Sequence, residues 1–160
     1  MTNHQTPHAA TRILFLCHGN ICRSPMAEYI LKALVRDADL GDRFVITSAA
    51  VSTEETGNPI YPPARRVLNK YGVPFGDHRA HQVTERECRD NDLIVCMDDS
   101  NVRLLRRLHP AAPLDGKVRL LMSFAGEDRP VADPWYTDDF EAAYRDILAG
   151  CKALLEEVIG

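Results

Sequence analysis

Ile13-Leu14-Phe15-Leu16-Cys17-His18-Gly19-Asn20-Ile21-Cys22-Arg23-Ser24-Pro25-Met26-Ala27-Glu28 decides how this chain folds. Ile13 to Leu16 is an apolar run of strand length. It stops at Cys17, passes through a short loop containing Gly19, and re-emerges as a helix at Ser24-Pro25, where proline misses no backbone donor. Five residues separate Cys17 from Arg23. A loop that short curls until the backbone N–H groups of His18, Gly19, Asn20, Ile21, Cys22 and Arg23 point into one bowl. The following helix aims its positive end at the same place. The bowl fits a tetrahedral oxyanion, and the planar Arg23 fork can clamp two of its oxygens. Cys17 at the floor meets donors and a positive field that favour thiolate over thiol. Residues so placed form a nucleophile for a phosphoryl group.

Blander readings of the same residues exist. A cysteine ending a strand is commonly a small buried hydrophobe. Cys17, His18 and Cys22 together suggest zinc, but no second ligand pair follows at zinc-like spacing, so neither metal nor cofactor is expected. The loop lacks the Gly-Lys-Ser/Thr ending of a nucleotide-binding Walker A sequence.

The run Cys17 to Pro25 resembles the signature of low-molecular-weight protein-tyrosine phosphatases. Asp133-Pro134-Trp135-Tyr136, Thr47-Ser48-Ala49-Ala50, His78-Arg79-Ala80 and Cys96-Met97-Asp98 carry further likeness in the family's order, from about Arg12 onward. The resemblance implies hydrolysis of phosphotyrosine in proteins through a phosphocysteine on Cys17, with Arg23 holding the phosphoryl group and inorganic phosphate as product. A phenolate leaving group has a pKa near ~10 and departs badly unless protonated. Asp133 is the candidate acid, carried with Pro134 to Tyr136 on a long loop and kept extended by Pro134. Ser24 can donate a hydrogen bond to the sulfur. Asn20, Ser48 and His78 match the family's support network, with Asn20 suited to a positive φ. Trp135 and Tyr136 would flank the cleft and stack on a phenyl ring.

One departure stands out: Thr53-Glu54-Glu55 replaces the aromatic or large apolar wall that members often carry, which puts Glu54 at the substrate cleft. Cys22, five residues after Cys17, makes a redox-sensitive cysteine pair an expectation. Three alternatives stay open: a protein-arginine phosphatase, a thioredoxin-coupled arsenate reductase using Cys88 and Cys96, and a non-catalytic anion-binding module.

The remaining sequence sets bounds. A chain of 160 residues with 45% hydrophobic and 26% charged content suits one globular domain over residues 12–160, after a polar, flexible tail over residues 1–11. A net charge of −4 gives no hint of nucleic acid or of a membrane surface. The N-terminus lacks a signal-peptide core. Five cysteines without a framework pattern suggest reduced thiols in a cytoplasm.

Strands are expected at Ile13–Leu16, Arg43–Ala49, Leu93–Met97 and Val118–Met122. Helices follow the anion loop, open at Pro62-Pro63 with Gly72 at the C-cap, and start from a capping box at Thr84 to Glu87. Another follows a cap at Asp99 or Ser100. The last carries one apolar stripe from Phe140 to Val158. Alternating strands and helices predict a three-layer α/β/α fold around a four-stranded parallel sheet, flavodoxin-like, in the order 2-1-3-4. Cys17 then sits beyond a strand's carboxyl end, where such sheets bind ligands.

Overall fold

Strand β1 (Thr11–Cys17) lies between β2 (Phe44–Ala50) and β3 (Leu93–Cys96), and β4 (Val118–Leu120) closes the far edge. The structure, a computed structural model, describes residues 10–160. All pairings are parallel, in the order β2-β1-β3-β4, as the sequence predicts. Helices α1 (Arg23–Asp37), α2 (Pro62–Lys70), α3 (Glu85–Asp90), α4 (Asp99–Leu108), α5 (Leu121–Phe124), α6 (Pro134–Thr137) and α7 (Phe140–Ile159) surround it. The tail expected over residues 1–11 falls mostly on 1–9, outside the described residues, and Thr11 already belongs to β1.

Because β1 is covered on both faces, its apolar run is continuous instead of alternating. Ile13 and Phe15 pack with Met26, Ile30, Ile147 and Leu154 of α1 and α7. Leu14 and Leu16 face the other way, onto Ile94 and Leu105. Each such fully buried side chain contributes about 1.5–3 kcal/mol. Two helices end in the same turn chemistry. After α2, Gly72 takes φ 69° while Val73 N–H reaches the Leu68 carbonyl at 2.9 Å. After α1, Asp39 takes φ 58° and Leu40 N–H reaches the Val35 carbonyl at 2.8 Å.

Three local expectations are corrected. The fourth strand ends at Leu120, and Leu121–Phe124 coils into α5. The cause is tertiary: α5 packs so closely on α7 that a Cβ at Gly150 would lie 2.5 Å from Leu121 Cγ. The cap of α4 is Asp98, whose side chain accepts from Asn101 N–H at 2.9 Å, and not Asp99 or Ser100. Residues 134–137, expected as loop, form the single turn α6 capped by Asp133.

The chain leaves β1 for β2 on one side and later returns to β3 on the other. The crevice at that switch point, beyond the carboxyl ends of β1 and β3, gathers Cys17, the start of α1 and Asp98. No helix of the described residues is long and apolar enough to cross a membrane.

Candidate active site

The loop from Cys17 to Arg23 is turned by its carbonyls. Val51 N–H takes the Cys17 carbonyl at 3.1 Å, and Ser52 takes that of His18 through N–H at 3.1 Å and Oγ at 2.9 Å. His78 Nε2–H donates to the Asn20 carbonyl at 2.7 Å, Tyr61 N–H to that of Ile21 at 2.9 Å, and Met26 N–H to that of Cys22 at 3.1 Å. In a trans peptide the N–H points opposite to its carbonyl. Carbonyls drawn outward therefore turn the N–H groups inward, toward the cleft.

Three donors converge on Cys17 Sγ: Asn20 N–H at 3.3 Å, Ser24 N–H at 3.4 Å and Ser24 Oγ at 3.0 Å. The Asn20 amide donates to Ser24 Oγ at 2.8 Å and to Ser48 Oγ at 3.0 Å, and Ser24 Oγ also reaches the Ala49 carbonyl at 3.4 Å. Toward a Cys17 thiolate, which can only accept, the Ser24 hydroxyl is the donor of the shorter 3.0 Å contact. His81 N–H on Asn20 Oδ1 at 3.3 Å orients that amide. Ser48 donates to Glu28 Oε1 at 2.6 Å, and Lys32 holds the other Glu28 oxygen at 2.6 Å. Asn20 makes these bonds from φ 61°, the left-handed region. Asn20, Ser24, Ser48 and His78 are buried behind the loop.

Arg23 is 2% exposed. Its Nη1 donates to Asp98 Oδ2 at 2.8 Å and to the Val131 carbonyl at 2.9 Å, and Nη2 reaches Asp133 Oδ2 at 3.3 Å. Burial opposes its charge, but Cys17, Asp133 and Asp98 override burial and raise its pKa. Burial likewise disfavours the Asp98 carboxylate, and the Arg23 hydrogen bond and charge still hold it below the usual range. Asp133 turns its other oxygen to Trp135 N–H at 3.0 Å. Cys22 lies in the same cleft, where burial, then the neighbouring Cys17, push its thiol above the usual range.

The cleft has a volume of about 100 Å³. Cys17, Gly19, Ile21, Cys22, Arg23 and Asp133 line its depth, and His18, Glu54, Glu55, Trp135 and Tyr136 its lip. The Trp135 ring is 4.9 Å from that of Tyr61 and half exposed, and Tyr136 is 83% exposed. His18 Nε2–H donates to Glu54 Oε2 at 3.0 Å. Among the described residues, no cluster of three or more His, Cys, Asp or Glu side chains is arranged to hold a metal ion.

Every site residue read from the sequence thus lies in the cleft or directly behind it. Two charged partners carry no role in the sequence reading. Asp98 follows the end of a buried strand at the same level as Cys17, which is the signal that finds it. Glu28 sits one turn after Ser24 on the buried side of α1, an acid where an apolar residue belongs.

A family profile described as "Low molecular weight phosphotyrosine protein phosphatase" matches residues 12–159. The rat protein of that name is 40% identical over 149 residues, which cover 91% of this chain and 94% of the relative. Among solved structures, YfkJ from Bacillus subtilis superposes with a TM-score of 0.91 at 31% identity, covering 96% of this chain and 98% of its own. A Drosophila arginine phosphatase follows with a TM-score of 0.84 at 31% identity, covering 92% of this chain and 98% of its own. Profile, relatives and fold agree with the cysteine loop: the chain belongs to the low molecular weight phosphotyrosine protein phosphatases, cysteine-dependent phosphoric monoester hydrolases.

Proposed function

We propose that Cys17 removes phosphate from phosphotyrosine in proteins and that Asp133 delivers the proton to the leaving group. The convergence of three donors on one sulfur, inside a cleft shared with Arg23 and Asp133, carries this reading. The Cys17 thiolate attacks phosphorus, the P–O bond to the aryl group breaks, and the Asp133 carboxyl protonates the departing phenolate. Water then attacks the phosphocysteine, gives its proton to Asp133, and releases inorganic phosphate and the thiolate. Three of the five Arg23 N–H donors are occupied by Asp98, Val131 and Asp133, so two are left among the described residues for phosphoryl oxygens. Little else is required, because phosphoryl transfer depends mainly on position and charge.

An arsenate reductase needs accessible resolving thiols. Cys88 and Cys96 are fully buried, and burial pushes the Cys96 thiol up to about 12. Phosphoarginine stays as a second substrate, supported by the likeness to the Drosophila arginine phosphatase and by the acid Glu54 at the lip. All five cysteines are free thiols, which suits a reducing cytoplasm.

Phosphate release from an aryl phosphate, with Cys17→Ser beside the wild type, tests the nucleophile. The variant should lose turnover by on the order of 10⁴-fold or more, and acid quench should trap phosphate on wild-type Cys17. Full activity in the variant would overturn the mechanism. Kinetics on paired phosphotyrosine and phosphoarginine peptides rank the two substrates.

A further inference from the structure

The floor and the lip of the cleft carry opposite charge. The floor offers Arg23, inward N–H groups and the start of α1. The lip carries Glu54 and Glu55. Its position is set by the nucleophile's own backbone. Val51 and Ser52 bind the carbonyls of Cys17 and His18, and Glu54 N–H returns to Ser52 Oγ at 3.3 Å. Glu55 lies so close to the loop that a Cβ on Gly19 would meet its Cγ at 3.1 Å. The segment is thus stitched to the residues on either side of the Cys17–His18 peptide bond, and its charges have a defined place relative to the bound phosphate.

The two carboxylates differ in what they can offer a substrate. Glu55 is half-buried and accepts from Asn58 Nδ2 at 2.9 Å, which ties it back into its own loop. Glu54 is exposed, and its partner is His18, the residue after the nucleophile. That bond keeps the carboxylate over the cleft instead of leaving it free in solvent. Arg79 reaches the same loop at the Gly57 carbonyl, but its guanidinium is paired with Asp77 at 3.4 Å.

We propose that Glu54, positioned by His18, selects phosphotyrosines that have a lysine or arginine beside them in the peptide. This rests on the phosphotyrosine reading above. The phosphate dianion is drawn to the floor while a flanking cation meets Glu54. A flanking acid meets the same carboxylate and is repelled. Two unit charges about 6 Å apart, at an effective dielectric between ~20 and ~80, shift a charged-neighbour substrate relative to one with an uncharged neighbour by roughly threefold to a hundredfold, and exposure of Glu54 and screening by salt favour the lowest part of that range.

The test uses three substrates on the full chain: a small aryl phosphate, and two phosphotyrosine peptides that differ only by Lys or Glu next to the phosphotyrosine. At low salt and one fixed pH, wild type should prefer the Lys peptide by about threefold to tenfold in kcat/KM, and high salt should reduce this below about twofold. Glu54→Gln should remove most of the preference and Glu54→Lys should reverse it, an inversion that a merely structural role does not produce. Glu55→Gln should change the ratio less than Glu54→Gln does. His18→Phe, which removes the partner of Glu54, should weaken the preference. Equal ratios in wild type and both Glu54 variants overturn the proposal, as does a larger effect from Glu55→Gln. Failure of wild type to hydrolyse the small aryl phosphate, which has no flanking residue, would instead overturn the phosphatase reading itself.

Discussion

The floor of the cleft and its lip are built on different principles. On the floor, Asn20, Ser24, Ser48 and Arg23 are buried, and Asn20, Ser48 and Arg23 are each held by two or more hydrogen bonds that cross between elements far apart in the chain. At the lip, Trp135, Tyr136 and Glu54 stand in solvent, with the Trp135 ring packed on that of Tyr61. Buried polar groups are costly unless fully paired, so the floor tolerates one arrangement and fixes the chemistry. Exposed side chains are free to vary without loss of the fold, and there a chain sets its choice of substrate. The difference predicts that floor substitutions damage stability and turnover together, whereas lip substitutions alter substrate preference alone.

Asp133 joins the two regions, with one oxygen on Arg23 and the other on Trp135 N–H. Its removal should cost more turnover than any change at the lip or in the network behind the loop. Asp133→Asn keeps the shape and removes the proton. Aryl phosphates with poor leaving groups should slow by about 10²–10³-fold, and those with acidic phenols far less. A uniform loss across a leaving-group series would make Asp133 a shaping residue and move it wholly to the floor.

Asn20 tests the floor itself. Asn20→Ala forces a Cβ-bearing residue without a local hydrogen-bonding side chain to hold φ 61°, and strands Ser24, Ser48 and His81 N–H. Stability should fall by about 2–4 kcal/mol, from backbone strain and lost hydrogen bonds together. Turnover should fall by roughly 10- to 100-fold, because Ser24 loses the amide that holds its hydroxyl beside the sulfur. Asn20→Gly removes the strain but not the missing amide. Chemical denaturation should show part of the stability restored, while kcat stays low. Recovery of both in Asn20→Gly would reduce the network to backbone geometry.

Legibility divides along the same line. The stretch from Cys17 to Ser24 is readable because nucleophile, arginine, turn and helix start are contiguous, so their spacing alone implies a bowl. Asp98 and Val131 reach Arg23 from 75 and 108 residues away, and no local pattern marks such contacts. The end of β4 is hidden for a related reason. Leu121 and Met122 continue an apolar run by composition, and the close packing of α5 on α7, with Leu121 against the buried Gly150, is a tertiary contact that no local pattern marks. The α4 cap lies one residue ahead of Asp99 because Asp98 and Asp99 have equal chemistry, and only the end of β3 decides between them.

The smallest effects are expected at the aromatic lip, and they sharpen the comparison most. Trp135→Ala deletes a half-exposed ring whose aromatic neighbour is Tyr61, with ring centroids 4.9 Å apart, but leaves the backbone N–H that caps Asp133. Proton delivery is therefore preserved, and what is lost is a stacking surface worth about 0.5–1.5 kcal/mol. KM for aryl phosphates should rise by roughly twofold to tenfold with kcat nearly unchanged, and Tm should move by no more than about 2 °C. Tyr136, at 83% exposed, has less to lose, and Tyr136→Ala should shift KM by under about twofold. Steady-state kinetics and a thermal melt on the two variants, beside Asn20→Ala, make the comparison directly. If Trp135→Ala lowers Tm as far as Asn20→Ala does, the lip is part of the scaffold. If instead its kcat falls while KM holds, the ring positions Asp133, and the boundary between chemistry and recognition lies outside Trp135.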